Sequence, residues 1–339
     1  MEQAYKILIV AHSSGGQFSP YVGELAEGLR SYGMCVETYG IEKRGLLGYL
    51  GCLRPLKQKL RSFEPDFVHA CYGLSGLLAN LQRKYPVVTT YLGSDIHSGG
   101  WLLKLSRLCI RLSRFNIFVS SGLLKIAMRS TFLTGRSLSY AVIPGGVDMN
   151  VFYPVDRAEA REMLMQSLKK STIAHYEGVF DGRFEEGKKY VLFAGSFTNG
   201  IKNYPDASKA IKLLDTRISL IQMRGYTRQQ VNLLLNSVDC LLMTSFREGS
   251  PMVIKEAMAV GCPVVSVDVG DVRDLISDVC GCYMADRNSE DIAGKLSVVI
   301  KESEIRTFDA EPQGRRILLN KGLDAKATVA RILRIYENL

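Results

Sequence analysis

The sequence predicts an α/β fold made of two Rossmann-like, parallel-sheet domains facing a central cleft. Three observations carry this expectation. Short β-branched apolar runs alternate with longer stretches of helical periodicity. The strands read as continuous apolar runs, as in sheets covered by helices on both faces. The alternation halts at a Pro/Gly-punctuated boundary near residue 150 and then starts afresh. The 339 residues suffice for two domains. At 47% hydrophobic and 23% charged residues, the composition excludes disorder, collagen-like repeats and small disulfide scaffolds.

The first run, Lys6–Ala11, reads as a buried strand and ends in His12-Ser13-Ser14-Gly15-Gly16. A helix is expected from Ser19-Pro20, with serine as N-cap and proline at the first helical position. Further strands are expected at 34–39, Phe67–Cys71, Val87–Tyr91, 117–119 and 141–143. The boundary follows as Val142-Ile-Pro-Gly-Gly-Val-Asp148 and Phe152-Tyr-Pro154. Residues 172–188 lack periodicity and read as an irregular insertion. The second series has strands at 190–194, Ile218–Gln222, 240–244 and Val264–Val267, with helices near 204–214, 227–236 and Met252–Val260. The last helix, from Asp324, has no strand after it. The expected division is 1–150, 151–323 and a C-terminal helix at 324–339 that packs back towards the first domain.

No secretory h-region follows a basic start, and no apolar run approaches the roughly 18 residues of a spanning helix. A cytoplasmic protein is expected. The eight cysteines form no C-x-x-C pair and mostly sit in apolar strings, which suits buried free thiols in a reducing compartment. The four histidines (12, 69, 97 and 175) show no ligand spacing, so no metal and no cofactor is expected.

Two loops invite chemistry. Gly15-Gly16 lies between a strand and a helix, where free backbone N–H groups suit a phosphate, although a plain tight turn has the same composition. The chain lacks G-x-G-x-x-G after this strand and lacks G-x-x-x-x-G-K-[ST] altogether. The second loop is more informative. Thr244-S-F-R-E-G-S-P-M-V-I-K-E-A-M-A-V-G-C-P-V-V265 runs from a strand through Gly249-Ser250-Pro251 into a helix and on to another strand. Glu248 lies in the loop and Glu256 eight positions later, within the first two helical turns. Two carboxylates so placed suit a ligand with hydroxyls at both ends. The bare N–H groups of Gly249 to Met252 suit a diphosphate between them.

E-x₇-E followed by A-M-A-x-G-x-P-V-V resembles the donor-site signature of retaining glycosyltransferase family 4, Leloir enzymes of GT-B fold. Other segments match in the same order along nearly the whole chain. They are the Gly15-Gly16 loop, Tyr91-L-G-S-D-I96, Val142-I-P-G-G-V-D148, Val191-L-F-A-G-S-F-T-N-G-I-K-N-Y204 and Val267-D-V-G-D-V-R-D-L275. The resemblance implies that Glu248 contacts hydroxyls of the transferred sugar and Glu256 the ribose of a UDP- or GDP-sugar. Gly249, Ser250, Pro251 and Met252 would give backbone contacts, and Lys202 would meet the diphosphate. Together with Gly15, Gly16, Ser196 and Arg247 these form the expected donor site, with Glu248 and Lys202 as catalytic residues. Ser196 stands where the family carries Arg, a charge that Arg247 or Arg224 would replace. Leu92 stands where His is frequent and Gly145 where Asn is usual. Asp95 and His97 are the acceptor-side candidates. No D-x-D motif occurs, and the leaving diphosphate would be neutralised by Lys202 and helix N-termini. Retention at the sugar is implied by the family. The same fold leaves two other readings open: a nucleotide-sugar 2-epimerase, or a catalytically silent nucleotide-sugar or membrane binder.

The net charge of +9 is unevenly spread. Residues 1–150 carry 17 basic and 9 acidic side chains, against 26 and 25 in the remainder. In Trp101–Phe115 the cations Lys104, Arg107, Arg111 and Arg114 fall on one helical stripe, with Leu105, Leu108, Leu112 and Phe115 alongside. Arg54, Lys57 and Arg61 repeat the design against Leu53, Leu56, Leu60 and Phe63. Such helices suit an anionic membrane surface, here the inner face of the cell membrane, and equally an ordinary domain helix with its cations in water. No RNA- or DNA-binding motif accompanies them, so nucleic acid is not expected as a partner. The expected partners are a nucleotide-sugar donor and a glycan or lipid-linked acceptor, as in cell-surface polysaccharide synthesis.

Overall fold

The computed structural model describes residues 4–43, 45–129, 138–169, 180, 182–214, 217–305 and 307–339. The chain divides into Met1–Gly146 with Ala325–Leu339, and Val147–Asp324. The first boundary thus falls four residues before the expected one, and the last helix belongs to the first unit. Residues 172–179 and 181 of the irregular segment, with His175, lie outside the described residues, as does Arg136 of the basic half.

The first unit contains β1 (Lys6–Ser14), β2 (Gln17–Phe18), α1 (Pro20–Ser31), β3 (Cys35–Ile41), α2 (Gly45–Gly51), α3 (Leu53–Phe63) and β4 (Phe67–Cys71). It continues with α4 (Gly73–Asn80), β5 (Val87–Tyr91), α5 (Ser94–His97), α6 (Gly100–Leu112), β6 (Phe115–Phe118), α7 (Ser121–Met128) and β7 (Tyr140–Val142). The parallel sheet has the order β3-β1-β4-β5-β6-β7. Every residue of β4 and β5 is buried, because helices cover both faces. The first helix starts at Pro20 as expected, but the Ser19 side chain makes no cap hydrogen bond.

The first glycine loop takes the tight-turn alternative. β1 continues past Ala11 to Ser14 and pairs antiparallel with β2, Ser14 opposite Gln17. Gly15 and Gly16 are the two turn residues of this hairpin, at φ 56° and 76°. Positive φ at both central positions is the mirror-image turn that matches strand twist. The pair is therefore an exposed hairpin tip, and its N–H groups do not open a helix.

The second unit contains α8 (Arg157–Lys169), β8 (Lys189–Phe193), α9 (Tyr204–Lys212), β9 (Ile218–Gln222), α10 (Arg228–Ser237) and β10 (Cys240–Met243). It ends with α11 (Met252–Val260), β11 (Val264–Val267), α12 (Val272–Ile276), β12 (Cys282–Ala285), α13 (Ser289–Ile305) and α14 (Gln313–Asn320). Among the described residues its five parallel strands lie in the order β12-β11-β10-β8-β9. β12 was not anticipated, since Cys-Tyr-Met-Ala is short and lacks a β-branched run. All the cysteines are free thiols; five are buried, while Cys35 and Cys280 are exposed and Cys282 is intermediate.

The last helix, Ala325–Glu337, packs on α1 and buries Val329, Ile332, Ile335 and Tyr336. Gly28 permits the close approach, since a Cβ there would lie 2.5 Å from Val329 Cγ2. Tyr336 stacks on Phe67 at 5.3 Å, and its hydroxyl pairs with His69 Nδ1. His69 Nε2 lies 2.8 Å from Thr90 Oγ1, so both ring nitrogens are satisfied inside the sheet. Burial holds His69 neutral, with its pKa pushed down to about 3.

Replacing Tyr336 with Phe leaves a buried imidazole nitrogen without its partner. Urea unfolding at pH 7.5 is expected to show a loss of about 1–3 kcal/mol. Because the native His69 resists a proton that the unfolded chain accepts below the ordinary value of 6.5, its contribution is complete above that value. The stability difference between wild type and His69→Gln is expected to fall as pH drops from 6.5 towards 3. A difference that is constant across this range contradicts the assignment.

Candidate functional site

In the second unit β10 delivers the chain to Thr244 at the carboxyl end of the sheet, the usual place for a ligand in a parallel α/β fold. Ser245–Pro251 then turns into α11. Its N-cap is Pro251, which supplies no side-chain hydrogen bond, so no side chain competes for the first N–H groups of the helix. From Val253 to Val260 every residue of α11 is buried. The helix therefore has no solvated face on which to place Lys255 and Glu256.

A second loop meets the first. The 3-10 turn Gly200–Lys202 follows β8, and Thr244 Oγ1 donates to the carbonyls of Lys202 (2.9 Å) and Asn203 (3.0 Å). Phe246 N–H donates to Ile201 O at 2.9 Å. These bonds bring Lys202 against Glu248, with Nζ 2.6 Å from Oε1. The pair is 22% and 18% exposed, so it remains reachable from solvent. Gly195 makes room for the lysine stem: a Cβ there would lie 2.8 Å from Lys202 Cγ. Ser196 contributes only a hydroxyl, 2.9 Å from Thr198 Oγ1.

Glu256 is 3% exposed and accepts a 2.7 Å hydrogen bond from Arg228 Nη1. Burial raises its pKa, and the Arg228 guanidinium acts against that rise. Arg228 opens α10 and lies over the Phe152 ring, 4.5 Å from its centroid. The sequence reading missed Arg228. It stands 28 positions from its partner and belongs to no spacing pattern; its only local sign is the Thr227–Gln230 capping box beside it. Ser250, expected to act through its backbone, turns its side chain inward. Its Oγ lies 2.6 Å from Asp271 Oδ2 and accepts from Lys255 Nζ at 2.7 Å. Gly249 and Pro251 are buried, Met252 and Arg247 half-buried, and Arg224 exposed.

In the first unit, Asp95 is fully buried. Its carboxylate accepts from the N–H groups of Gly93 (2.9 Å), Gly73 (3.0 Å) and Leu92 (3.4 Å). Burial pushes its pKa up to about 6 against these three bonds. Asp95 is thus a brace between the loops after β4 and β5, and it presents no atom to an acceptor. His97, half-buried at the end of α5, is the remaining acceptor-side candidate. The brace holds Tyr72 at φ 88°, ψ 141°, a conformation that non-glycine residues rarely adopt. The Tyr72 N–H donates to Thr90 O at 2.8 Å and fixes the other side.

The basic stripe of α6 divides. Arg107 donates to the carbonyls of Ile126 (3.2 Å), Ala127 (3.2 Å) and Arg129 (2.7 Å), closing the C-terminus of α7. Arg114 reaches Leu339 O at 3.4 Å. Arg107 is therefore a structural cap rather than part of a surface. Lys104 and Arg111 are exposed beside Trp101 (58%), Leu108 (36%) and Leu112 (48%). Arg54, Lys57 and Arg61 are also exposed on α3.

Two parallel-sheet units, the second with a carboxylate–lysine pair at the mouth of a buried helix, define a GT-B fold. Residues 192–302 match the family model described as Glycosyl transferases group 1, and residues 20–119 match the one described as Glycosyl transferase 4-like. Both matched models describe glycosyl transferases, one lying in each unit. The chain is 26% identical over 240 residues to TuaC of Bacillus subtilis (strain 168), named as a teichuronic acid biosynthesis glycosyltransferase. That match covers 66% of this chain and 58% of TuaC, so the chain spans little over half the length of that relative. It is 27% identical to the D-inositol 3-phosphate glycosyltransferase of Actinosynnema mirum, covering 82% and 75% of the two chains. Among solved structures, Anabaena Alr3699/HepE in complex with UDP and glucose superposes with a TM-score of 0.71 at 15% identity, covering 99% and 100%.

Removing Arg228 strands a buried carboxylate. Arg228→Met is expected to cost on the order of 3 kcal/mol in urea unfolding, and the double variant with Glu256→Gln to recover most of it. Additive losses in the double variant would show that the two side chains are not coupled.

Proposed function

We propose that the chain transfers a sugar, with retention of anomeric configuration, from a UDP- or GDP-sugar to a glycan or lipid-linked acceptor of cell-surface polysaccharide synthesis. The observation that carries this reading is the solvent-reachable Lys202–Glu248 pair beside the uncapped N-terminus of α11. A bound donor places its diphosphate against the Lys202 ammonium and the N–H groups of Gly249, Ser250 and Met252, which meet the charge developing on the departing phosphate. Lys202 and Glu248 then exchange their mutual bond for bonds to the donor, with the carboxylate taking sugar hydroxyls. Glu256, held by Arg228, offers its second oxygen to a ribose hydroxyl. No protein base is required, since the leaving phosphate oxygen can accept the acceptor proton. UDP bound to the fold relative HepE supports a uridine nucleotide as the first donor to test.

We assign the acceptor side to the first unit and place the protein on an anionic membrane surface through α6. Here Trp101, Leu108 and Leu112 are exposed alongside Lys104 and Arg111, so that insertion and charge attraction act on adjoining parts of one face. Among the described residues no helix is long and apolar enough to cross a membrane.

Release of UDP or GDP from a donor panel in the presence of membrane lipid extracts measures the reaction. Glu248→Gln is expected to lower it by at least about a hundredfold. Absence of release from every donor, or a Glu248→Gln variant as active as wild type, sinks the transferase reading. Sedimentation with vesicles containing phosphatidylglycerol tests the surface. Lys104→Gln/Arg111→Gln is expected to weaken binding by about 2 kcal/mol, at roughly 1 kcal/mol per cation, and added salt to weaken wild-type binding. Binding indifferent to lipid charge would remove α6 from that role.

A further inference from the structure

Lys255 is the fourth residue of α11 and is wholly inaccessible to solvent. A cation near a helix N-terminus opposes the helix dipole, and a buried ammonium carries a desolvation cost besides. Burial accordingly lowers its pKa to about 8, with Asp271 and Glu256 acting to raise it. A solvent-free position on a buried helix is ordinarily served by an apolar side chain, so keeping a lysine here costs stability. What the lysine does with its charge is visible in its bonds. Nζ donates to Ser250 Oγ at 2.7 Å, and Ser250 Oγ in turn lies 2.6 Å from Asp271 Oδ2.

The three residues belong to three segments: the helix, the loop before it, and the turn before α12. The last two are pressed together at the same place. Gly270, at φ 63°, would bring a Cβ to 2.9 Å from the Gly249 carbonyl oxygen. The backbone of Gly249 and Ser250, to which the proposed function assigns the diphosphate, is thus held from one side by a buried ionic tether and from another by a glycine contact.

We propose that Lys255 is a positioning residue for donor binding, tying Gly249–Pro251 to the Gly270–Asp271 turn through Ser250 and Asp271. The proposal rests on the donor-site reading above and deepens it. Lys255 touches no ligand; it fixes the backbone that does, so the loop is ordered before the nucleotide arrives and loses less freedom on binding. The charged groups facing Lys255 are Asp271 from the turn and Glu256 from its own helix, the latter paired with Arg228 of α10. Loss of the Lys255 proton removes the positive end of the tether, so nucleotide affinity should fall as pH rises through about 8. Stability follows the opposite course. The native pKa lies below the ordinary 10.5, so the native state gains relative to the unfolded chain as pH rises between these values.

The test is calorimetric titration of the full chain with UDP, and separately with GDP, between pH 6.5 and 9.5. Melting temperature is recorded alongside. The variant is Lys255→Met/Asp271→Asn, which removes both charges and leaves none buried without its partner. It is expected to bind the nucleotide about tenfold more weakly at pH 7, to lose the decline through pH 8, and to melt no lower than wild type. Affinity lost with melting temperature conserved separates positioning from a general role in folding, which would lower both. A variant that binds as tightly as wild type, or that loses affinity only as it loses its fold, overturns the proposal while the donor reading stands. Wild type silent towards both nucleotides overturns the donor reading and the proposal together.

Discussion

The burial of α11 on all sides constrains the second unit more than any other feature. A helix buried all round is ordinarily apolar throughout, and this one carries Lys255 and Glu256 in adjacent positions. Neither charge can be left alone at such depth. Glu256 requires Arg228, which draws the start of α10 to the helix and lays its guanidinium over Phe152. Lys255 requires Ser250 and Asp271, which brings the loops after β10 and β11 into one body. Much of the loop geometry around the candidate site follows from satisfying these two side chains.

The first unit solves its corresponding problem with backbone instead of charge pairs. Asp95 spends its carboxylate on three N–H groups and thereby ties the loops after β4 and β5. The strained Tyr72 persists because bonds on both sides over-determine its backbone. His69, neutral in the sheet interior, supplies the partner that a tyrosine of the last helix needs when it is buried. That helix is distant in sequence, and Gly28 together with the His69–Tyr336 pair explains why it settles on α1.

The strands were readable because a parallel sheet covered on both faces has to be written in continuous apolar runs. Phe67–Cys71, Val87–Tyr91, Ile218–Gln222 and Val264–Val267 have the bounds expected of them. The loop carrying Glu248 and the helix Met252–Val260 were readable from spacing and from family resemblance. What escaped reading depends on distance or on equivalent composition. Gly15-Gly16 suits a strand-to-helix turn and a hairpin equally well, and the pairing of Ser14 with Gln17 shows that the local structure is the hairpin. Helical periodicity places Arg107 on a stripe, but the carbonyls it caps belong to α7, about twenty residues on. Arg228 and Asp271 pair across separate elements, and a single sequence carries no sign of such partners.

The charge asymmetry acquires a structural sense from these pairings. In the second unit the cations named at the site, Lys202, Arg228 and Lys255, each face a carboxylate or the hydroxyl that leads to one. The site in that near-neutral unit is thus built from matched charges. In the first unit Asp95 is matched by amides, so its cations are not drawn inward to neutralise it. Arg54, Lys57, Arg61, Lys104 and Arg111 stand exposed instead. An excess of exposed cations with Trp101 and Leu112 among them is poorly suited to reading a small anion, which calls for fixed and convergent donors. That is why the anionic surface proposed above is assigned to α6 and not to the loops of the second unit.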